Sequence, residues 1–154
     1  MSIIQGKVTS ETSKIAIIIS RFNEFINENL LRGAVDTLNR IGNIHYNNIT
    51  VIKIPGAYEI PIIANKIASL KKYDGIITLG TIIKGETMHF EILSGIVSTK
   101  ISEISINHNI PITLGILITN TIEQAINRAG NKFGNKGNEA ALSLLETINV
   151  LKIL

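Results

Sequence analysis

The chain has 154 residues, 45% hydrophobic and 18% charged, which is enough apolar material for one domain with a full core. It contains no cysteine, which excludes a disulfide framework and a thiolate metal site and fits a cytoplasmic location. The net charge of +3 is small and the lysines are scattered, so we expect no nucleic-acid partner, while small anionic substrates remain open.

The first segment, MSIIQGKVTSETSK, has no basic region followed by a long apolar run, so we expect no secretory signal peptide. Within it, SIIQGKV at residues 2–8 is strand-like but stands outside the alternation of elements that follows. An unpaired apolar strand seldom stays free. We therefore expect residues 2–8 to add to the sheet edge of a neighbouring subunit.

Four short apolar runs rich in Ile, Val and Thr follow along the chain. They are KIAIIIS (14–20), ITVIKI (49–54), GIITLGTII (75–83) and PITLGILIT (111–119). Continuous runs of this kind are typical of strands buried on both faces. No apolar stretch approaches the roughly 20 residues of a membrane helix, so no membrane association is expected.

Segments of helical period separate these runs. NEFINENLLRGAVDTLNRIG predicts a first helix, with Gly42 as its left-handed C-cap. YEIPIIANKIASL predicts a second, with Pro61 in its first turn. HFEILSGIVSTKISEISI predicts a third, with an apolar stripe through Ile92, Ile96 and Ile104.

Two more helices complete the chain. Thr121 followed by Gln124 is a capping-box pattern that predicts the start of a fourth helix. After the glycine-rich RAGNKFGNKG, the stretch NEAALSLLETINVLKIL predicts a fifth. The alternation predicts an α/β fold, a three-layer flavodoxin-like sandwich with a four-stranded parallel sheet and helices on both faces. We expect residues 1–154 to form a single domain, since no repeat or linker interrupts them.

Ligands of such sheets bind outside the carboxyl ends of the strands, so the candidate loops are SRFNEF, PGAYEI, TIIKGETMH and TNTIEQ. His89 is the sharpest candidate among them, because it could carry protons at neutral pH. The alternative is a first-turn histidine facing water. His45 and His108 lie in polar contexts and are expected to have no functional role.

Two places could bind an anion. KGET before a helix offers backbone N–H groups and the Thr87 hydroxyl, although Thr87 could be an ordinary N-cap. Arg128 could form bidentate hydrogen bonds with a carboxylate or phosphate, or simply interact with its helix dipole. Lys132 and Lys136 add positive charge beside it, or are solvated loop residues.

Aromatic and acidic residues stand in the first two loops. Phe22 directly follows the first strand, where its ring could be a stacking platform or make a hydrophobic contact at the helix start. Tyr58 lies beside Glu59 in PGAYEI. Glu59 could accept hydrogen bonds from a substrate or be a first-turn helix charge.

Taken in order, IISRFNEFI, IPGAYEIP, YDGIITLGTIIKGETMHFE, IEQAINRAG and GNKGNEAA resemble the successive motifs of the lumazine synthase family, from about residue 3 to the C-terminus. Enzymes of this family are transferases that join 5-amino-6-(D-ribitylamino)uracil to 3,4-dihydroxy-2-butanone 4-phosphate. The products are 6,7-dimethyl-8-ribityllumazine, phosphate and water, in the penultimate step of riboflavin biosynthesis. The resemblance implies no metal and no organic cofactor.

By similarity, Phe22 would stack on the pyrimidinedione and His89 would transfer protons. Glu86, through its main chain, and Thr87 match the phosphate-binding turn, which Arg128 of a neighbouring subunit would complete. The resemblance also implies that Lys136 binds substrate. The residues implied to hold the ring and the ribityl chain, largely through the backbone, are Ala57, Tyr58, Glu59, Thr81, Ile82 and Ile83.

Two positions depart from the family's pattern. Leu114 stands where the family usually has a phenylalanine that reaches the pyrimidine pocket across the subunit interface, which implies weaker binding of the uracil substrate. Phe133 stands where the family often has a small residue.

The resemblance also implies an assembly. Lumazine synthases form pentamers with active sites between adjacent subunits, and the compact turn RAGNKFGNKG is similar to that of members that pack twelve pentamers into a shell of about sixty subunits. The resemblance allows association with riboflavin synthase.

Three other functions deserve comparison. A flavin-binding electron carrier of this fold needs a hydroxyl- and glycine-rich loop after its first strand, where this chain has SRFNEF. A phosphorylated receiver domain needs an acidic cluster that these loops lack. A structural shell protein that has lost catalysis remains the main alternative.

Overall fold

The computed structural model describes residues 1–154. Its four strands form one parallel sheet in the order β2-β1-β3-β4. The predicted strands are confirmed, each starting within one residue of its apolar run. They are β1 (Ile15–Ser20), β2 (Ile49–Ile54), β3 (Gly75–Ile83) and β4 (Ile112–Thr119).

Five α-helices cover the two faces of the sheet. They are α1 (Glu24–Arg40), α2 (Ile60–Ser69), α3 (His89–His108), α4 (Ile122–Arg128) and α5 (Lys136–Ile153). Helices α1, α4 and α5 pack with one face of the sheet, and α2 and α3 with the other. The α/β class and the three-layer flavodoxin-like architecture are therefore confirmed.

Strand β1 is the centre of the core, because all six of its residues are buried. Its side chains alternate between the layers: Ile15, Ile17 and Ile19 join the α1–α5 cluster, whereas Ala16 and Ile18 join the α2–α3 cluster. Burial on both faces explains why the strand reads as a continuous apolar run.

Helices α1 and α5 approach closely where α5 begins. A Cβ atom added at Gly137 would collide with the backbone carbonyl of Leu30. The absence of a side chain at this position is therefore what allows the two helices to meet.

The left-handed residue after α1 lies one position later than predicted. Gly42 does not adopt a positive φ; the left-handed residue is Asn43, with φ 56°. Asparagine tolerates this conformation better than most residues. Gly42 is required for space instead, since a Cβ there would lie 2.5 Å from the Leu38 carbonyl oxygen.

The predicted stripe of α3 is also partly wrong. Ile104 is buried, but Ile92 and Ile96 are exposed, and Val97 and Ile101 pack in the core instead. The helix is apolar on more than one side, so periodicity alone could not choose the buried face. The folded chain thus carries an apolar stripe on its surface.

Residues 2–8 form no strand within the chain. The side-chain amide of Asn149 on α5 donates to the carbonyls of Lys7 (2.7 Å) and Thr9 (2.9 Å), while residues 1–5 are exposed. Strand β2 lies at the border of the sheet, with its outer edge free of any strand partner. Addition of the N-terminal segment to a neighbouring subunit remains a prediction.

None of the helices combines the length and apolarity needed to cross a membrane.

Candidate functional site

A cavity of about 450 Å³ opens at the carboxyl ends of β1, β2 and β3, beside the start of α3. Its position is the one expected for ligands of a parallel sheet. Eight residues singled out from the sequence line it: Phe22, Ala57, Tyr58, Glu59, Thr81, Ile82, Ile83 and His89. They come from three separate segments, namely the loop after β1, the turn after β2, and the end of β3 with the start of α3, so the fold is what brings them together.

Phe22 has a fixed backbone and a free ring. Its N–H donates to the Pro55 carbonyl (3.1 Å), and the preceding Arg21 N–H donates to the Ile54 carbonyl (2.8 Å). The side chain is 73% exposed, so the ring is not buried in a contact at the helix start. This arrangement presents an aromatic face at the mouth of the cavity.

Asn27, which sequence reasoning missed, holds this loop in place. Its amide donates to the backbone carbonyls of Ser20 (2.6 Å) and Phe22 (2.8 Å), and its Oδ1 accepts from the Thr81 hydroxyl (2.7 Å). Asn27 is fully buried. A signal was present, since Asn27 lies three residues before the buried Leu30 and therefore on the apolar side of α1.

The loop after β2 positions Tyr58 and Glu59. The Glu59 Oε2 atom accepts from the Gly56 N–H (3.0 Å), which fixes the carboxylate at the start of a short 3₁₀ turn, Ala57–Glu59. The chain thus uses one carboxylate oxygen for local structure, and Oε1 makes no hydrogen bond within the chain. Tyr58 is exposed.

Strand β3 extends past its neighbour. Its register with β1 ends at the pair Ile19–Leu79, whereas its register with β4 continues to Ile83–Thr119. One backbone edge of residues 80–83 therefore has no strand partner. The Asn23 amide donates to the Thr81 carbonyl on this edge (3.0 Å). The remaining groups of the open edge can bind a ligand as a strand would.

The turn between β3 and α3 carries Glu86 and Thr87, and His89 follows it. The N–H of His89, the first residue of α3, donates to the Thr87 hydroxyl at 3.4 Å, a long contact. Met88 occupies the N-cap position and gives no side-chain cap, so Thr87 is not the ordinary N-cap considered above. Glu86 and Thr87 are exposed beside the cavity but do not line it.

Arg128, Lys136 and Leu114 lie elsewhere in the chain. Arg128 and Lys136 line a second cavity of about 330 Å³ against residues 116–119 of β4. Leu114 is on β4, the opposite border strand from β2, and lines neither cavity. Within one chain, these three residues are not brought to the first cavity.

The other two histidines have local partners. The His45 Nδ1 accepts from the Asn47 N–H (3.2 Å), and the His108 Nε2 lies 2.8 Å from the Asn65 Oδ1. No group of three or more His, Asp or Glu side chains is arranged to hold a metal ion.

One cation near the carboxyl end of β2 is already paired. The Lys53 ammonium lies 2.6 Å from Glu28 Oε1 and 3.5 Å from Glu24 Oε1. Hydrogen bonding and attraction, first from Glu28 and then from Glu24, raise the pKa of Lys53 above its ordinary value. Lys53 is therefore charged throughout the physiological range, and its charge is balanced by two carboxylates of α1 in the same chain.

Comparison with known families decides the affiliation. Residues 12–152 match the family model of 6,7-dimethyl-8-ribityllumazine synthase. The chain belongs to this family. The resemblance of its motifs to lumazine synthases is thereby confirmed.

Relatives within the lumazine synthase family cover the whole chain. The 6,7-dimethyl-8-ribityllumazine synthase of Buchnera aphidicola subsp. Acyrthosiphon pisum (strain Tuc7) is 59% identical over 154 residues, which are 100% of this chain and 96% of that protein. The same-named protein of Buchnera aphidicola subsp. Baizongia pistaciae is 57% identical, covering 100% and 98%. That of Yersinia pestis (strain Pestoides F) is 51% identical, covering 100% and 99%.

Proposed function

We propose that this protein condenses 5-amino-6-(D-ribitylamino)uracil with 3,4-dihydroxy-2-butanone 4-phosphate to give 6,7-dimethyl-8-ribityllumazine, phosphate and water, the penultimate step of riboflavin biosynthesis. The observation that carries the proposal is the meeting of the exposed Phe22 ring, the open edge of β3 and His89 around one cavity, in a chain of this family.

The uracil substrate fits the cavity by chemistry. A pyrimidinedione is flat and stacks on an aromatic face such as Phe22. Its ring carries alternating N–H and C=O groups, which match the backbone donors and acceptors of Thr81 and Ile83 on the open edge of β3. The ribityl hydroxyls find acceptors in Glu59 Oε1 and the backbone near Ala57 and Tyr58. A volume of about 450 Å³ suits a molecule of this size.

His89 serves the proton transfers. The 5-amino group attacks the ketone carbon, and the carbinolamine loses water to give an imine. Loss of a carbon-bound proton expels phosphate, and the ribitylamino nitrogen then closes the ring with loss of a second water. No oxidant or reductant enters this sequence. An imidazole can both accept and donate a proton, so His89 at the cavity wall can assist each of these proton transfers.

The phosphate is bound by the turn before α3 and by the cationic side chain of Arg128. Backbone N–H groups around Glu86 and Thr87, at the start of a 20-residue helix, favour an anion. The Glu86 carboxylate would repel phosphate, so Glu86 acts through its main chain. Arg128 supplies the balancing charge, with Lys136 close to it in the second cavity.

Arg128 reaches the phosphate from a neighbouring subunit. Leu114 is on β4 at one border of the sheet, and Arg128 at the end of α4 faces that strand across the second cavity, whereas the first cavity lies at the ends of β1, β2 and β3. A head-to-tail ring would bring the β4 border of one copy against the cavity of the next. The exposed Ile92 and Ile96 beside that cavity support such a contact, since an apolar stripe gains free energy when covered.

The assembly we propose is a pentamer in which residues 2–8 add to the outer edge of β2 in a neighbouring subunit. Twelve pentamers then form a shell of about sixty subunits. Association with riboflavin synthase belongs to the same proposal and remains a prediction. A cytoplasmic location is supported by the phosphorylated substrate, whose charge keeps it from crossing membranes.

One experiment tests the activity. The purified protein is mixed with both substrates, and lumazine absorbance is followed against a protein-free reaction, because the arylamine and ketone also condense without help. A rate above that background that is proportional to protein concentration supports the proposal. A rate equal to the background would indicate the structural shell protein instead.

A further inference from the structure

The second cavity contains an interaction that the proposed reaction does not explain. The Arg128 guanidinium carbon lies over the Phe133 ring, 5.5 Å from its centroid. Both residues line the wall of this cavity. A guanidinium within about 6 Å of a ring centroid is attracted by the ring's π face.

Arg128 has few other restraints. It takes part in no ion pair of the chain, whereas its neighbour Lys136 is paired with Glu139 at 3.2 Å. Its one hydrogen bond runs from Nη1 to the Gln124 carbonyl (3.2 Å), one turn back along α4. Among the hydrogen bonds, ion pairs and cation–π contacts of the chain, the contact with Phe133 is therefore the only one that joins the guanidinium to another side chain.

The turn that carries Phe133 is well defined. The Phe133 N–H donates to the Asn127 carbonyl (2.8 Å), and the Gly130 N–H donates to the Gly134 carbonyl (2.7 Å). Gly130 (φ 98°) and Gly134 (φ 74°) both adopt left-handed backbone conformations that favour glycine. This backbone folds back over the end of α4 and fixes the position of Phe133.

The contact with Phe133 leaves the guanidinium able to bind an anion. A guanidinium carries five N–H donors in a planar fork. Apart from the bond to the Gln124 carbonyl, those donors are free. The side chain is thus held in one orientation with its donors available, which reduces the rotamer freedom it loses when an anion binds.

We propose that Phe133 is a positioning residue that orients Arg128 for the phosphate of the butanone substrate. The proposal rests on the proposed function, because it assigns Arg128 to that phosphate. Phe133 itself does not touch the substrate.

The test uses substitutions that distinguish the effect of the π face of Phe133 from the effect of its apolar volume. Phe133→Leu keeps an apolar side chain without a π face, and Phe133→Tyr keeps the π face. We expect Phe133→Leu to raise KM for the butanone phosphate, and the inhibition constant of inorganic phosphate, by roughly 2- to 5-fold, as expected for an exposed cation–π contact. KM for the uracil substrate should stay unchanged, and Phe133→Tyr should behave as the parent protein. Asn131→Ala, in the same turn, is the control for general disturbance.

A double-mutant cycle makes the test specific. In an Arg128→Ala background, Phe133→Leu should change neither constant further, since the guanidinium it holds is gone. Equal increases of both KM values, or a full Phe133→Leu effect in the Arg128→Ala background, would overturn the proposal. Inorganic phosphate binding, measured by calorimetry, gives a readout independent of turnover. If the protein forms no lumazine but phosphate binding still depends on both residues, the proposed function fails and the positioning role survives.

Discussion

The Thr81 hydroxyl donates to Asn27 Oδ1 across 2.7 Å, and both side chains are buried. This bond joins the end of β3 to the first turn of α1. Because the Asn27 amide also donates to the Phe22 carbonyl, the same side chain sets the position of the stacking ring relative to the open edge of β3. Two walls of the cavity are therefore coupled through one residue.

Asn27→Ala should lower both stability and activity. The substitution leaves the buried Thr81 hydroxyl and the Ser20 and Phe22 carbonyls without their partner. We expect a loss of about 1–3 kcal/mol in the free energy of unfolding, measured by urea denaturation, and a higher KM for the uracil substrate. Asn29→Ala is the matched control, since Asn29 makes its side-chain contacts on the helix surface. A variant as stable and as active as the parent would refute the coupling.

His89→Ala should lower kcat by up to about 100-fold, the low end of general acid–base effects, because the substrates also react unaided. The pH dependence of kcat should also change, because a group that transfers protons is removed. His108→Ala, at the other end of α3, is the matched control and should keep both. Unchanged turnover and an unchanged pH profile in His89→Ala would remove the proposed role.

Arg128→Ala should raise KM for the butanone phosphate roughly 10- to 150-fold, the range expected when a charge-assisted hydrogen bond of about 1.5–3 kcal/mol is lost. KM for the uracil substrate should change much less. Arg40→Ala provides the control, because Arg40 is likewise the last residue of its helix and pairs only with Asp36 on the surface. Equal effects on both constants would count against a phosphate contact.

Leu114→Phe should strengthen binding of the uracil substrate. The substitution restores the aromatic side chain that the family usually presents from the neighbouring subunit, and a stacked aromatic pair contributes about 0.5–1.5 kcal/mol beyond area burial. We expect KM for the uracil to fall roughly 2- to 10-fold, with KM for the butanone phosphate as the internal reference. A KM that does not fall would show that position 114 does not reach the pyrimidine.

The assembly is tested by light scattering at neutral pH. A shell of about sixty copies of the 16.8 kDa chain has a mass near one megadalton. A mass of five or ten chains would exclude the shell and keep the subunit interface. A monomer that still catalyses would exclude both.

The sequence predicted the sheet accurately because its strands are buried on both faces and therefore appear as continuous apolar runs. It predicted the buried face of α3 poorly, since Ile92 and Val97 are equally apolar and only tertiary packing decides which is covered. The sequence pattern placed the left-handed residue after α1 at Gly42. Glycine is favoured both where φ is positive and where the backbone is in close contact with a neighbour, and Gly42 is the second case. Local pattern does not distinguish these two uses.

The candidate site was likewise predictable from the sequence only in part. Loops at the carboxyl ends of strands could be named from the sequence, and Phe22 and His89 stood out by residue type and position. The buried hydrogen bond between Thr81 and Asn27 joins residues 54 positions apart in the chain, so it has no local sequence pattern. The position of Arg128 over Phe133 depends on a turn whose backbone conformation could not be predicted from the sequence pattern.

The exposed isoleucines of α3 also link the stability of the protein to its concentration. A folded chain with Ile92 and Ile96 on its surface gains free energy when a second copy covers them, and an unfolded chain does not. By mass action, dilution favours the unfolded chain and the midpoint of thermal unfolding should rise with protein concentration. A melting temperature for this protein is therefore meaningful only together with the concentration at which it was measured.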